Sequence, residues 1–312
     1  MGSILRWWAR HDRSAAPRVL GALVVVLLLG SSGMLAAMVP PIQVAGSRAA
    51  EVEQSPSQPP TRAAPQARGV PPAATPPPVW LVEPAGDFVG WAVVEYDPTG
   101  VIGWSGSKNA TEVSTTASMI KAWIAADYLR RATEAGQQPS PARLNQLTAV
   151  IRDSDNAYAE EIFQELGAHE STERLIEICD LPHARAYPYS WSNTQLSPMD
   201  AALMGVCIAD GRAAGPEWTE WLLSEMRQVR GRGDFGIRQA LPPEQRSSIA
   251  IKNGWVERTN QSAWHVNCLA IGPTWTMAVM TRYPAELGFE HGAELCRLLA
   301  ASHLPGIDGT DA

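Results

Sequence analysis

Lysine is almost absent from this chain of 312 residues. Of its 25 basic side chains, apart from histidine, only three are lysines, and all the others are arginines. The three are Lys108, Lys121 and Lys252. Because arginine supplies the positive charge everywhere else, we interpret lysine at the last two positions as chosen for its chemistry, and each of these two lies in a short motif described below.

The sequence also lacks the patterns of a metal, cofactor or nucleic-acid site. Its six histidines are scattered and no two cysteines have the C-x-x-C spacing, so we predict no metal and no cofactor. Residues 1–39 have a net charge of +3, and because the whole chain carries −7, the remainder carries −10. That charge argues against nucleic acid or anionic lipid as a partner of the remainder.

Charged residues are missing from the run Val19–Val39, which is long enough to span a bilayer. Four arginines precede it and only Arg48 follows closely, so the positive-inside rule predicts a cytoplasmic basic segment at 1–18 and a transmembrane signal anchor at 19–39. Small residues at Ala36-Ala37 and Ala45-Gly46 leave cleavage open as the alternative. No cysteine lies near the end of the run, so lipid attachment there is not supported.

Large apolar residues are scarce from 40 to 78, where Pro, Ala, Gln and Ser predominate. This composition predicts a disordered linker. Residues 79–312 are then one extracytoplasmic domain, and the sequence contains no internal repeat. The whole chain is 45% hydrophobic and 18% charged, which is ordinary for a globular protein.

Strand patterns occur near both ends of this domain. A Val-rich run at 90–96 predicts a strand, and after a turn the residues 101–105 can pair back with it, so the two predict a hairpin. Apolar runs at 249–255, 264–271 and 275–282 predict an antiparallel meander.

Helical patterns occupy the middle and the end of the domain. The apolar spacing predicts helices that begin at Ser118, Ser140 and Ser197, and a last helix over 285–301. Strands from both ends would share one sheet beside a helical region, so the predicted fold class is α+β.

The four cysteines lie in the predicted extracytoplasmic part, where disulfides are stable. Four cysteines permit three pairings, and sequence proximity favours Cys179 with Cys207 and Cys268 with Cys296. The alternative is four buried thiols.

Three short motifs follow one another along the domain. A serine and a lysine three residues apart share one helical face, so Lys121 can reach the hydroxyl of Ser118 and, if neutral, act as its general base. Burial, or positive charge on a nearby Lys252, would lower its pKa. The motifs are Ser118-Met119-Ile120-Lys121, Ser154-Asp155-Asn156 and Lys252-Asn253-Gly254.

Each motif alone has a plainer interpretation. The first is often an exposed helical pair, Asp155 or Ser154 can cap a helix that begins near Ala157, and Lys252 can be a charge that protects an edge strand. All three occur in order, each on a suitable element, which favours a shared active site over coincidence.

With these motifs, the chain from about Gly90 to Ala301 resembles the superfamily of class A β-lactamases and penicillin-binding proteins. The resemblance implies an α/β sandwich: an antiparallel sheet flanked by helices, with an all-helical subdomain beside it and the site between them. The stretch from Ser118 to Ser154 is shorter than in typical class A enzymes, so we expect a reduced helical subdomain.

The resemblance also implies roles for single residues. Ser118 would be the nucleophile, Lys121 its base and Ser154 a proton relay. The remaining roles are a substrate hydrogen bond from Asn156, an electrostatic anchor at Lys252, and an oxyanion hole formed by the backbone N–H groups of Ser118 and Trp255.

Three departures from the family pattern affect the substrate site. Asn253 replaces the hydroxyl residue that helps to hold the substrate carboxylate, and Trp255 puts a large ring where a small residue is common. Arg258 offers another carboxylate anchor, although a surface arginine is the plainer interpretation. No Asp or Glu occurs from Leu181 to Met199, where class A enzymes have the glutamate that activates the deacylating water.

We therefore expect a membrane-tethered, extracytoplasmic serine hydrolase. It would attack a β-lactam or an acyl-D-alanyl-D-alanine-type amide of the cell wall through an acyl-enzyme on Ser118, and deacylation would be slow. The alternative is a catalytically degenerate module that kept the fold and binds cell-wall peptide, which the altered third motif and the shortened helical region favour.

Overall fold

The computed structural model describes residues 88–304. The predicted segments 1–18, 19–39 and 40–78 lie outside the described residues, as do 79–87 and 305–312 of the predicted domain. Among the described helices, none is long and apolar enough to cross a membrane.

One antiparallel sheet contains strands from both ends of the described chain, as the sequence predicts. Its strands follow the order β2-β1-β8-β7-β5, and β6 also pairs with β7; β3 and β4 form a separate two-stranded sheet. The bounds are β1 (Phe88–Asp97), β2 (Gly100–Gly106), β3 (Ser114–Thr115), β4 (Gln195–Leu196), β5 (Ala250–Ile251), β6 (Gly254–Arg258), β7 (Ala263–Ile271) and β8 (Trp275–Pro284).

The predicted single strand over 249–255 is wrong, because the chain leaves the ladder between β5 and β6. Lys252 still donates its backbone N–H to the carbonyl of Leu269. The side chain of Asn253 is buried and donates to the carbonyls of Gly233, at 3.0 Å, and Phe235, at 2.8 Å. The interruption thus ties the sheet edge to the segment that precedes it.

The predicted helices are present, with different ends. The helix predicted from Ser118 begins with a 3₁₀ turn, Ala117–Ile120, and the last helix follows a 3₁₀ turn at Ala285–Leu287. The helix bounds are α1 (Lys121–Glu134), α2 (Pro141–Thr148), α3 (Asn156–Glu165), α4 (His169–Cys179), α5 (Pro198–Ala209), α6 (Thr219–Arg227), α7 (Ile237–Ala240), α8 (Pro243–Arg246) and α9 (Gly288–His303).

Helices cover both faces of the sheet. On one face, α5 approaches β8 so closely that a Cβ added to Gly205 of α5 would lie 3.0 Å from the side chain of Thr276 of β8. On the other face, α9 packs against β7 and β8. Because both faces are covered, β7 and β8 are buried along most of their length. This α+β arrangement confirms the predicted fold class.

Two disulfides link neighbouring elements. Cys179–Cys207 joins α4 to α5, and Cys268–Cys296 joins β7 to α9. This is the pairing that sequence proximity favours. The helical region beside the sheet is built around α1, whose first seven residues, Lys121 to Asp127, are all buried.

Candidate active site

Ser118 lies in the 3₁₀ turn that leads directly into α1, and its side chain is only 9% exposed. Ala117, immediately before it, has a left-handed φ of 47°. This conformation costs a non-glycine residue about 1–3 kcal/mol, and such strain is concentrated at functional sites. The positive end of the helix dipole favours negative charge on the Ser118 oxygen.

The edge of the sheet holds this turn in place. A Cβ at Gly254 would lie 2.5 Å from both Met119 N and Thr116 O, and 2.7 Å from Ser118 N. Strand β7 fixes the preceding residues, since Asn267 donates from Nδ2 to the carbonyl of Thr115 at 2.8 Å. The third motif therefore needs a glycine so that β6 can pass directly beside Ser118.

Ser154 sits at a second irregular point of the backbone. It follows a π-helical turn, Ala149–Asp153, and has a left-handed φ of 57°. Turns of this kind inside helices are frequent at functional sites.

Two ion pairs hold the residues immediately before Ser154. Arg152 is paired with the buried carboxylate of Glu225 through two hydrogen bonds of 2.7 Å. Arg230 contacts the carboxylate of Asp153 at 2.6 and 2.8 Å. Sequence analysis missed both pairs, because the partners are 73 and 77 residues apart and no local pattern connects them.

The hydroxyl of Ser154 lies between two buried lysines. Lys121 Nζ is 3.3 Å and Lys252 Nζ 3.0 Å from Ser154 Oγ. Lys121 Nζ also donates to the Ser154 carbonyl at 2.5 Å and to Asn156 Oδ1 at 2.6 Å, and Lys252 Nζ donates to the Asn253 carbonyl at 3.2 Å. The structure thus joins residues of all three motifs.

Burial makes both lysines poor cations. Burial lowers the pKa of Lys121 from 10.5 to about 7, and the nearby charge of Asp155 opposes this only in part. Complete burial lowers the pKa of Lys252 well below its ordinary value, and the charge of Lys121 lowers it further. Within residues 88–304 neither lysine has a carboxylate ion-pair partner. A neutral amine can therefore form at Lys121 near pH 7, as a general base requires.

The other predicted site residues occupy different environments. Asp155 caps α3 by accepting from the backbone N–H of Tyr158 at 2.8 Å, which agrees with the structural role expected for it. The Trp255 ring packs with Phe235 and Phe289, at 5.8 and 6.1 Å between centroids. Arg258 donates from Nη2 to the Ser192 carbonyl at 3.1 Å.

Several predicted contacts and roles are not tested by these positions. Among the described residues, no hydrogen bond joins the Ser118 hydroxyl to Lys121, whose Nζ is directed at Ser154 and Asn156. The oxyanion hole at Ser118 and Trp255 and the substrate contacts of Asn156, Asn253 and Arg258 stay predictions. No cluster of three or more metal-ligating side chains occurs in residues 88–304.

Trp191 is a site residue that the sequence analysis did not identify. Its ring centroid is 4.7 Å from Lys121 Nζ, and its indole N–H donates to Glu160 Oε2 at 2.9 Å. It belongs to the stretch from Leu181 to Met199 that lacks acidic residues. The sequence did contain one sign of it, which is a large aromatic residue in the stretch where class A enzymes have the glutamate that activates water.

Comparison with solved structures identifies the fold. A β-lactamase from Burkholderia vietnamiensis superposes with a TM-score of 0.58 at 17% identity, over 73% of this chain and 93% of that one. The TLA-1 extended-spectrum β-lactamase gives a TM-score of 0.59 at 14% identity, over 70% and 92%. A class A β-lactamase from Bacteroides cellulosilyticus gives 0.55 at 14% identity, over 68% and 88%.

The chain has the class A β-lactamase fold. No protein-family model matches the sequence, and a search of curated proteins finds no relative by sequence. In this β-lactamase-like domain the three motifs lie at the Ser118 turn, at the loop before α3 and between β5 and β6.

Replacing Gly254 with Ala should displace the Ser118 turn, because the new Cβ would overlap backbone atoms that cannot rotate away. We expect a loss of about 1–3 kcal/mol in the free energy of unfolding, measured with urea. Gly103→Ala is the matched control, since the nearest atom to a Cβ there is a Glu95 oxygen at 3.8 Å. Equal stability of the two variants would contradict the close packing.

Lys121 should make stability depend on pH. In the folded protein it loses its proton near pH 7, whereas in the unfolded chain it keeps the proton to about 10.5, so the unfolded state binds more protons between these values. The free energy of unfolding should therefore rise with pH above 7, with about 1.4 kcal/mol per pH unit from this residue. The slope of the free energy of unfolding against pH should be smaller in Lys121→Met than in the wild type. In Lys108→Met, which removes an exposed lysine, this slope should be unchanged.

Proposed function

We propose that this protein is a serine acyl-transfer enzyme that attacks a β-lactam or an acyl-D-alanyl-D-alanine-type amide through Ser118. The observation that carries the proposal is the hydroxyl of Ser154, which two buried lysines contact at 3.3 and 3.0 Å. A plain structural role would not require two buried lysines that have no carboxylate ion-pair partner within residues 88–304, because burying such amines is costly.

The proposed mechanism divides the chemistry among these residues. Neutral Lys121 takes the proton of Ser118 as the oxygen attacks the substrate carbonyl. The Lys121 ammonium then returns a proton to Ser154 Oγ, 3.3 Å away, as Ser154 gives its own proton to the departing nitrogen, so that both residues end as they began. Lys252 contacts the Ser154 hydroxyl opposite Lys121 and sets the electrostatic potential there. The backbone N–H groups of Ser118 and Trp255 stabilise the negative charge that develops on the carbonyl oxygen.

Hydrolysis of the resulting ester is the slow step in this proposal. A general base is needed to activate water, and the segment from Leu181 to Met199 contains no Asp or Glu. The β-lactamases to which this fold is similar are named for hydrolysing β-lactams. We infer that this chain acylates with such compounds but releases them slowly.

Intact-mass spectrometry tests the acyl-enzyme. The full-length protein, incubated with a penicillin, should gain the mass of one penicillin molecule, and the added mass should persist over many minutes. Ser118→Ala should abolish the gain, because it removes the attacking oxygen. Ser247→Ala, at an exposed serine after α8, is the matched control and should label like the wild type.

The second candidate is a binding module for cell-wall peptide without acyl transfer. The observation that favours it is that Lys121 Nζ is directed at Ser154 and Asn156 rather than at Ser118. Absence of any adduct, together with binding of an acyl-D-alanyl-D-alanine peptide by calorimetry, would replace the enzyme proposal with this one. If the Ser118→Ala variant is still labelled by the penicillin, Ser118 is not the nucleophile.

We also propose that residues 19–39 anchor the protein in a membrane, with residues 79–312 outside the cytoplasm. The apolar run and the arginines before it support this orientation. When the chain is expressed in bacteria, the full-length protein should sediment with membranes, and the variant without residues 19–39 should not. A full-length protein in the soluble fraction would contradict the anchor.

A further inference from the structure

An indole ring covers the amine of Lys121. Trp191 begins the short 3₁₀ turn Trp191–Asn193 in the loop between α4 and α5, and only 9% of it is exposed. Its ring centroid is 4.7 Å from Lys121 Nζ. This segment therefore contributes an aromatic ring, and no carboxylate, to the lysine side of the site.

One contact holds the ring itself, and two more hold the backbone of the segment that carries it. The indole N–H donates to Glu160 Oε2 on α3 at 2.9 Å. The carbonyl of Thr194 accepts from the backbone N–H of Thr116, which precedes the Ser118 turn, at 2.9 Å. Arg258 of β6 donates to the carbonyl of Ser192 at 3.1 Å.

The ring acts on Lys121 in two opposite ways. Its π-face attracts an ammonium ion, by roughly 0.5–2 kcal/mol, which raises the pKa of a lysine. Its bulk keeps water away from the amine, which lowers the pKa. Burial lowers the pKa of Lys121 to about 7, and the ring contributes to this burial because its centroid is 4.7 Å from the amine. We therefore expect exclusion of water to be the larger of the two effects.

The same position affects the other half of the reaction. The turn Trp191–Asn193 lies next to the turn Ala117–Ile120, which carries Ser118. An acyl group on Ser118 would form beside this contact. Water can hydrolyse the ester only if it reaches the carbonyl carbon and finds a base, and a ring packed at this place leaves less room for it.

We propose that Trp191 is a positioning residue that Glu160 fixes in place, and that it shields both the Lys121 amine and the Ser118 acyl-enzyme from water. The acyl-enzyme part of this inference rests on the proposed function. The Lys121 part does not, because it concerns the hydration of a side chain in the free protein.

The scarcity of lysine makes the test direct. Full-length protein labelled with ¹⁵N at lysine Nζ has only three side-chain signals, which Lys→Arg variants assign, so the pKa of Lys121 can be titrated by NMR. Trp191→Ala should raise this pKa by about one unit or more, because water returns to the amine. Trp191→Leu keeps an apolar cover without a π-face, and should leave the pKa near or below the wild-type value.

Glu160 offers a matched pair of variants. Removing its negative charge alone would lower the pKa of a nearby lysine, so a rise in Glu160→Ala can come only from a displaced ring. Glu160→Gln loses the same charge but keeps an acceptor for the indole N–H, so the pKa of Lys121 should lie at or slightly below the wild-type value and should not rise. A lowered pKa in both Trp191→Ala and Trp191→Leu would show that the π-face dominates, and would overturn the proposal.

The decay of the penicillin adduct, followed by intact mass in the same proteins, tests the second part. Trp191→Ala should lose the adduct several-fold faster than Trp191→Leu and the wild type, and equal decay in all three would contradict the shielding. If the wild-type protein forms no adduct, the proposed function is contradicted, and so is the proposal that Trp191 shields an acyl-enzyme. The titration would still decide the role of Trp191 at Lys121.

Discussion

The constraint on which this structure depends is the burial of two amines around one hydroxyl. Lys121 and Lys252 both contact Ser154 Oγ, and both are completely buried. Within residues 88–304 neither lysine has a carboxylate ion-pair partner, so two ammonium ions around this hydroxyl would repel each other strongly at low dielectric. The fold therefore holds amines that readily give up a proton, and the surrounding elements must keep water out for this to persist.

Strained and closely packed backbone supports this arrangement. Ala117 and Ser154 are in left-handed conformations, and β6 passes the Ser118 turn at a distance that only glycine permits. Such geometry persists only where neighbouring contacts impose it. The pairs of Arg152 with Glu225 and Arg230 with Asp153 impose it on the loop of Ser154.

Local chemistry in the sequence predicts much of this domain, because caps, turns and apolar periods act over a few residues. The hairpin, the helix starts at Ser140 and Ser197, and the adjacent disulfide pairs are of this kind. The two motif lysines could also be identified as candidate site residues from the sequence, because the chain has only three lysines.

What the sequence could not predict depends on long-range contacts. The break between β5 and β6 exists because Asn253 bonds to carbonyls 18 and 20 residues away. The position of Trp191 over Lys121 depends on its hydrogen bond to Glu160, which lies 31 residues earlier. No periodic pattern in the sequence indicates this contact. Tertiary packing, rather than propensity, decides both.

The pairing of β1 with β8 has a consequence for how the domain forms. Phe88 lies opposite Arg282, so the centre of the sheet joins residues almost 200 positions apart. Chain closure over such a separation is entropically slow, and topologies with high contact order fold late rather than segment by segment. During synthesis, β1 and the Ser118 turn would wait for their partners until nearly the whole chain had emerged. The two lysines would meet only in the finished molecule, so an incomplete chain carries the motifs without the chemistry.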